Sequence, residues 1–158
     1  MYITYEEYTK LYDQIDEKAF NRNCRDACRL MDLYTTGIAN FKKLEKAFPE
    51  DKTDADAVSF CAAKLTNTLY LIEQAQSAGG NVSTDQGVHS KVISSISSGN
   101  ESISYATTAD TDIDKAASDR AAKAAMVNQI IHECLSGVND RNGIPLLYMG
   151  PYPRRYVC

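Results

Sequence analysis

The chain has 158 residues, of which 44% are hydrophobic and 24% charged, and its formal net charge is −4. These are values of an ordinary globular domain, and a domain of this length can form a core without a metal or a disulfide. The negative net charge excludes nucleic-acid binding that depends on the bulk charge of the protein. No stretch of about 18 apolar residues and no signal pattern is found, so we expect no membrane segment and synthesis in the cytoplasm.

Two helices are predicted near the start of the chain. Thr4 followed by Glu7 has the pattern of a capping box, so a first helix begins here and runs to about Asp13. Asp16 is the predicted N-cap of a second helix, which runs to about Thr35. In both places an oxygen-bearing side chain precedes a run of residues with helical periodicity.

The second predicted helix has an apolar side and a charged side. Gly37 follows it and is expected to close it in a left-handed conformation. The apolar side recurs at helical spacing and consists of Phe20, Cys24, Ala27, Met31 and Tyr34. The opposite side carries Asp26 and a row of arginines: Arg22, Arg25 and Arg29. Arg22 and Asp26 are four residues apart, so this is a solvated or subunit-facing surface with local ion pairing, and we expect the arginines to face the carboxylates of an adjacent subunit.

Two longer helices are predicted further along the chain. After a short helical turn between residues 41 and 48, ended by Pro49, a long helix runs from about residue 54 to 78 and ends at Gly79-Gly80. A third long helix runs from about residue 112 to Gly137. Its first half is rich in alanine, which permits close packing against another helix.

The middle of the chain has the pattern of a β-hairpin. Gly99-Asn100 separates two serine-rich strands and is a strong two-residue turn signal. Pairing across this turn sets Ile96 opposite Ile103 and Ser94 opposite Tyr105. Because an isolated hairpin is marginal in water, it must pack on its own helices, on a neighbouring copy, or on both.

The tail, residues 143–158, combines prolines with apolar side chains. Pro145, Pro151 and Pro153 exclude a helix and predict an extended path. The segment is too apolar for a disordered end, so it must lie in a groove of its own domain or of another protein. If that groove belongs to another protein, deletion from Leu146 onward leaves the helices intact.

The sequence contains no phosphate-binding loop, dinucleotide-binding loop or nucleophile-elbow motif. Its five cysteines are expected to be reduced, small buried hydrophobes. Cys24 and Cys28 are one helical turn apart, but His132 and Cys134 point in different directions on a helix, so no metal site is predicted. His89 and His132 have no recognisable catalytic partner. We therefore expect no cofactor and no enzymatic activity, since a hydrolase or metal protein would require these residues to converge.

Three stretches resemble one known family. They are the run Val-Ile-Ser-Ser-Ile-Ser-Ser-Gly-Asn-Glu-Ser-Ile-Ser-Tyr at 92–105, the start Met-Tyr-Ile-Thr-Tyr-Glu-Glu-Tyr at 1–8, and Leu-Leu-Tyr-Met-Gly-Pro-Tyr-Pro at 146–153. Together and in this order they resemble the head–tail connector (adaptor, head-completion) proteins of long-tailed phages. The similarity covers essentially the whole chain, except for residues 154–158.

The resemblance implies a mainly α fold, a small helical bundle with an inserted β-hairpin and an extended C-terminal tail. Residues 1–142 would form the connector domain, with the hairpin at about 91–106, and residues 143–158 the docking tail. Members of this family assemble as a twelve-fold ring beneath the portal protein and extend the DNA channel. The protein would thus be made in the host cytoplasm and end in the neck of the virion.

The resemblance also implies partners: the portal protein, copies of the chain in a ring, and a downstream connector or tail-completion protein. DNA would pass through the channel without sequence-specific binding. The residues implied in portal docking are Leu146, Leu147, Tyr148, Met149, Tyr152 and Tyr156. The residues implied in contacts of the hairpin with a neighbouring subunit or the tail are Ile93, Ile96, Ile103 and Tyr105.

The competing hypothesis is a DNA-packaging accessory protein, a small helical DNA-binding subunit. Its support is the arginine row of the second helix and the pair Arg154-Arg155 among tyrosines. This class predicts salt-dependent retention of DNA by a basic helix.

Overall fold

The computed structural model describes residues 1–12, 15–38, 40–79, 93–97, 102–105 and 112–153. The chain divides into two compact units, the first formed by residues 1–70 and 127–158 and the second by residues 71–126. Helices predominate, which confirms the prediction of a mainly α fold.

The first unit is built from helices. α4 and α6 begin or end in the second unit, whereas the other three helices belong to the first unit alone. The bounds are α1 Tyr5–Thr9, α2 Glu17–Thr35, α3 Lys43–Lys46, α4 Lys52–Gly79 and α6 Arg120–Leu135.

The starts of α1 and α2 follow from their caps. The Thr4 hydroxyl accepts from the Glu7 N–H at 3.3 Å, and the Glu7 carboxylate accepts from the Thr4 N–H at 2.9 Å. The Asp16 carboxylate accepts from the Ala19 N–H at 2.6 Å. Both predicted starts are confirmed, because each cap supplies an acceptor to a backbone donor of the first turn. α1 ends at Thr9, earlier than the predicted end near Asp13.

The core of the first unit includes buried apolar side chains of α2, α4 and α6. The apolar side of α2 predicted from the sequence is buried, apart from Tyr34, which is half-buried. Burial of each large apolar side chain stabilises the fold by roughly 1.5–3 kcal/mol. The buried residues that the three helices contribute to the first unit include Phe20, Ala27, Met31, Val58, Leu65, Val127, Ile131 and Leu135.

The sequence predicts one continuous third long helix, but the structure has two helices there. α5, Asp112–Ser118, precedes α6, and Asp119 separates them. The Asp119 carboxylate accepts from the Ala121 N–H at 2.9 Å, so this side chain starts a new helix. The predicted end at Gly137 is confirmed by its φ of +82°.

The prediction for Gly37 is wrong. Positive φ angles occur in the described glycines at Gly137 and Gly143, and Thr36 ends α2 in an extended conformation. Gly37 instead permits close approach of two segments, because a Cβ there would lie 3.3 Å from the Gly150 carbonyl oxygen. The requirement for glycine is therefore one of space and not of backbone conformation.

The second unit contains α5, the adjoining parts of α4 and α6, and two strands, β1 Ile93–Ser97 and β2 Ser102–Tyr105. The strands pair antiparallel, with Ile96 opposite Ile103. Ile93 is opposite Tyr105, so the predicted pair of Ser94 with Tyr105 is wrong. The register shifts between residues 93 and 95, as at a β-bulge, which sequence alternation does not reveal. The predicted turn at 99–100 lies outside the described residues.

Among the described residues, no helix is both long enough and apolar enough to cross a membrane.

Candidate functional site

Residues 144–153, which belong to the described part of the tail, are called the strap here. Before it, the Asp140 carboxylate accepts from the N–H groups of Asn142 and Ile144 at 2.8 and 2.9 Å, in a turn that Gly143 completes with a φ of +73°. The Tyr148 N–H then donates to the Pro145 carbonyl at 3.0 Å. The prediction of a continuously extended path is therefore wrong here, because Pro145 excludes a helix but also favours a tight turn.

Lys43 of α3 binds the strap through its ammonium group. The side chain is fully buried, and Nζ donates to the carbonyl oxygens of Pro145 at 3.2 Å, of Leu146 at 2.8 Å, and of Tyr148. These three bonds use all the donors of the ammonium group. Burial lowers the pKa of Lys43, and the charge of Asp140 opposes this shift. The bonds are charge-assisted, so they hold the strap firmly on α3.

A small apolar cluster fixes the end of the strap. The rings of Tyr152 and Phe41 stack with centroids 3.9 Å apart, and Ala47 and Ile144 pack beside them. The Tyr152 hydroxyl donates to the Asp140 carboxylate. Burial and this carboxylate raise the pKa of Tyr152 to about 12.

Two of the six residues assigned to portal docking are not available on the surface. Leu146 is fully buried and Tyr152 is 6% exposed, both within their own unit. Of the two grooves that the sequence left open, these two residues occupy one in their own unit, where they anchor the strap, so their predicted docking on the portal is wrong. Sequence reasoning missed Lys43, because a lysine next to Lys42 looks like an exposed residue. It missed Phe41 as well.

The outer side of the strap is exposed and apolar. Tyr148 is 44% exposed and Met149 is 56% exposed, and Leu147 is half-buried. Ile38, which is 60% exposed, lies in a parallel bridge with Pro151 and adds to the same surface. We call Ile38, Tyr148 and Met149 the outer patch. Portal docking by Leu147, Tyr148 and Met149 stays a prediction, and Tyr156 lies outside the described residues.

The charged side of α2 is exposed to solvent. Arg22, Arg25 and Arg29 are all exposed, and so is Lys18. Their spacing of four, three and four residues places them on one side of the helix. We call these four residues the basic stripe. The predicted role of Arg22, Arg25 and Arg29 in facing an adjacent subunit stays a prediction.

The hairpin residues Ile93, Ile96, Ile103 and Tyr105 lie within β1 and β2. The structure gives their backbone pairing, which brings Ile96 and Ile103 opposite each other. Their role in contacts with a neighbouring subunit or the tail stays a prediction.

The cysteines of the described residues are free thiols. Cys24, Cys28 and Cys61 are buried, and the two sulfur atoms of Cys24 and Cys28 lie 4.0 Å apart. Burial raises the pKa of Cys61, which makes its thiol unreactive. His132 is exposed and Cys134 is half-buried. Among the described residues, no three side chains of the metal-binding types come together.

Comparison of the chain with protein-family models, with curated proteins and with solved structures finds no match. Support for a function therefore comes from the sequence resemblance and from the outer patch and basic stripe.

Proposed function

We propose that the protein is a non-enzymatic structural subunit of the neck of a tailed phage. It forms a ring that connects the portal protein to the tail and extends the DNA channel. The observation that carries the proposal is a strap with two different sides: Leu146 and Tyr152 are buried, while Tyr148 and Met149 are exposed. The resemblance to head–tail connectors along the chain supplies the identity of the partner.

Anchoring makes the outer patch suitable for binding. Lys43 fixes the strap backbone at Pro145, Leu146 and Tyr148 before any partner arrives. A pre-ordered segment avoids the entropic cost of immobilising it on binding. Tyrosine and methionine are enriched at protein interfaces, where they bury a large area. The portal protein therefore meets a surface that is already in its binding conformation.

The negative net charge suits the wall of a DNA channel. With a formal charge of −4, a ring of copies repels the DNA backbone over most of its surface. DNA then moves past the wall without being held at a specific site.

Substitution of Met149 by Asp tests the proposal. A buried carboxylate in the interface is expected to weaken binding to purified portal rings by roughly a hundredfold, since an unpaired buried charge costs about 3 kcal/mol or more. Leu11→Asp is the matched control, because Leu11 is 50% exposed and lies outside the outer patch. Both variants should keep the wild-type melting temperature. Portal binding by Met149→Asp at wild-type affinity would contradict the proposal.

The basic stripe favours a second candidate, a DNA-packaging accessory protein. Four exposed cations on one helix could bind phosphates of duplex DNA. Fluorescence anisotropy with labelled duplex DNA at rising salt distinguishes the candidates. A packaging protein binds with a steep salt dependence, whereas the connector shows no binding at physiological salt.

A further inference from the structure

Asn142 is the one asparagine of this sequence that is followed by glycine. The other eight asparagines precede residues that carry a side chain. Because Gly143 has no Cβ, no side chain hinders the approach of its backbone nitrogen to the preceding residue. The space around it is open as well, since Gly143 is exposed and a Cβ built there would meet no atom within 4 Å. This pair is therefore suited to a reaction between the asparagine side chain and the backbone.

The reaction available to the pair is deamidation, with water as the co-reactant. The Gly143 nitrogen attacks Cγ of Asn142, and the Cγ–Nδ2 bond breaks as ammonia leaves with the proton of the Gly143 N–H. Water then opens the resulting five-membered imide at one of its two carbonyl carbons, which gives aspartate or isoaspartate. In sum, an amide and a water molecule become a carboxylate and an ammonium ion.

Three hydrogen bonds hold the reacting groups in the folded chain. The Asn142 N–H donates to the Asp140 carboxylate at 2.8 Å, and the Gly143 N–H donates to the Asp140 carbonyl oxygen at 2.9 Å. The Asn142 side-chain amide donates to the Tyr152 hydroxyl at 2.8 Å. Ring closure takes the proton from the Gly143 N–H and draws the Asn142 side chain away from Tyr152, so it requires local opening of the turn. The contacts of the anchored strap therefore oppose the reaction.

The product does not fit the place of the amide. The Tyr152 hydroxyl has a single proton, which it donates to the Asp140 carboxylate, so it can only accept from residue 142. A carboxylate at position 142 has no proton to donate at neutral pH. It also brings a second negative charge beside Asp140, a residue that is 4% exposed. Isoaspartate in addition lengthens the backbone of the turn by one carbon atom. Either product removes the donor that joins the turn to Tyr152.

We propose that Asn142 is a modification site, at which spontaneous deamidation releases the end of the strap and which the anchored strap protects. The inference does not depend on the proposed function, because it concerns the strap of a single copy. The two halves reinforce each other: a strap that opens more often deamidates faster, and a deamidated strap opens more often. Asn142 thus determines how long a copy keeps the strap, and with it the outer patch, in place.

Ageing of the purified full chain tests the protective role. The chain is kept at mildly alkaline pH and physiological temperature, and peptide mapping by mass spectrometry follows the amide-to-acid mass increase at each asparagine. Tyr152→Phe keeps the ring but removes the hydroxyl acceptor, so Asn142 is expected to deamidate roughly tenfold faster than in the wild type. Tyr148→Phe is the matched control and should age like the wild type, because the Asn142 side chain donates to Tyr152 and not to Tyr148. Circular dichroism checks that both variants are folded.

The wild-type chain unfolded in urea should deamidate at Asn142 faster than the folded chain. Equal rates in the folded and unfolded chains, or in folded Tyr152→Phe and the wild type, overturn the protective role. Absence of deamidation at Asn142 in both the folded and the unfolded chain overturns the site itself.

Amide hydrogen exchange tests the release of the strap. Exchange at Leu146 and Tyr148 should be roughly tenfold faster in the deamidated wild type and in Asn142→Asp than in the fresh wild type. Asn142→Ala loses the same donor but cannot deamidate, so its exchange rates should not change with age. Wild-type protection of the strap in the deamidated chain or in Asn142→Asp overturns the inference that deamidation releases it.

Discussion

Lys43 differs from its neighbour Lys42 in what surrounds it. Lys42 is exposed and pairs with Glu45, whereas Lys43 is fully buried and bound by three strap carbonyls. Desolvation of the ammonium group costs free energy, as the lowered pKa of Lys43 shows, and hydrogen bonds to the strap offset this cost. The residue therefore links the position of the strap to the stability of α3.

Lys43→Met should release the strap. The three carbonyl oxygens lose their donor, and we expect the free energy of unfolding to fall by about 2 kcal/mol. Amide hydrogen exchange should increase at Leu146 and Tyr148, because their peptide groups become accessible to water. Lys42→Met is the matched control and should change stability by less than about 0.5 kcal/mol. Protection of the strap at the wild-type level in Lys43→Met would show that the ammonium group does not hold it.

At the scale of elements, local sequence predicts where helices begin, but not what the strap contacts. The caps at Thr4 and Asp16 depend on residues three positions apart, so the sequence contains all the information needed for them. The groove under the strap includes Lys43, which lies 103 positions before Leu146. Such long-range packing leaves no local pattern. The bulge between residues 93 and 95 and the interruption at Asp119 were missed because both depend on backbone geometry.

Deletion from Leu146 onward should destabilise the first unit rather than leave it intact. It removes the burial of Leu146 and Tyr152, roughly 1.5–3 kcal/mol each, and leaves Lys43 without its acceptors, at about 1–3 kcal/mol. A total loss of about 4–9 kcal/mol approaches the whole stability of a typical domain. Thermal unfolding followed by circular dichroism measures the effect. Deletion of residues 154–158 is the control, since it keeps every described strap contact, and equal melting temperatures of the two truncations would contradict the anchoring role.

At the scale of the whole molecule, buried tyrosines contribute to the loss of stability in alkali. Burial raises the pKa of Tyr8 to about 12, and burial with the Asp140 carboxylate raises that of Tyr152 to about 12. The folded chain keeps these protons above pH 10, where the unfolded chain loses them. The free energy of unfolding should therefore fall as pH rises from 10 to 12.

Tyr152→Phe isolates one of these contributions. It removes one titrating group, so the fall between pH 10 and 12 should become shallower by up to about 1.4 kcal/mol per pH unit. The variant also loses the hydrogen bond to Asp140, which changes the free energy of unfolding at neutral pH as well. This change is measured at neutral pH and subtracted from the values at higher pH. Urea unfolding at a series of pH values measures both. Parallel curves for the variant and the wild type would refute this origin of the alkaline loss.

The separation between groove and strap has a consequence for biosynthesis. A ribosome that adds about 5–20 residues per second needs roughly 5–20 seconds to travel from Lys43 to Leu146, 103 residues later. During this interval Phe41 lacks its stacking partner Tyr152, although the residues of α2 and α3 have already been added. A nascent chain that stalls before the strap is made therefore exposes an apolar surface. Slow codons in that interval would favour aggregation or capture by chaperones.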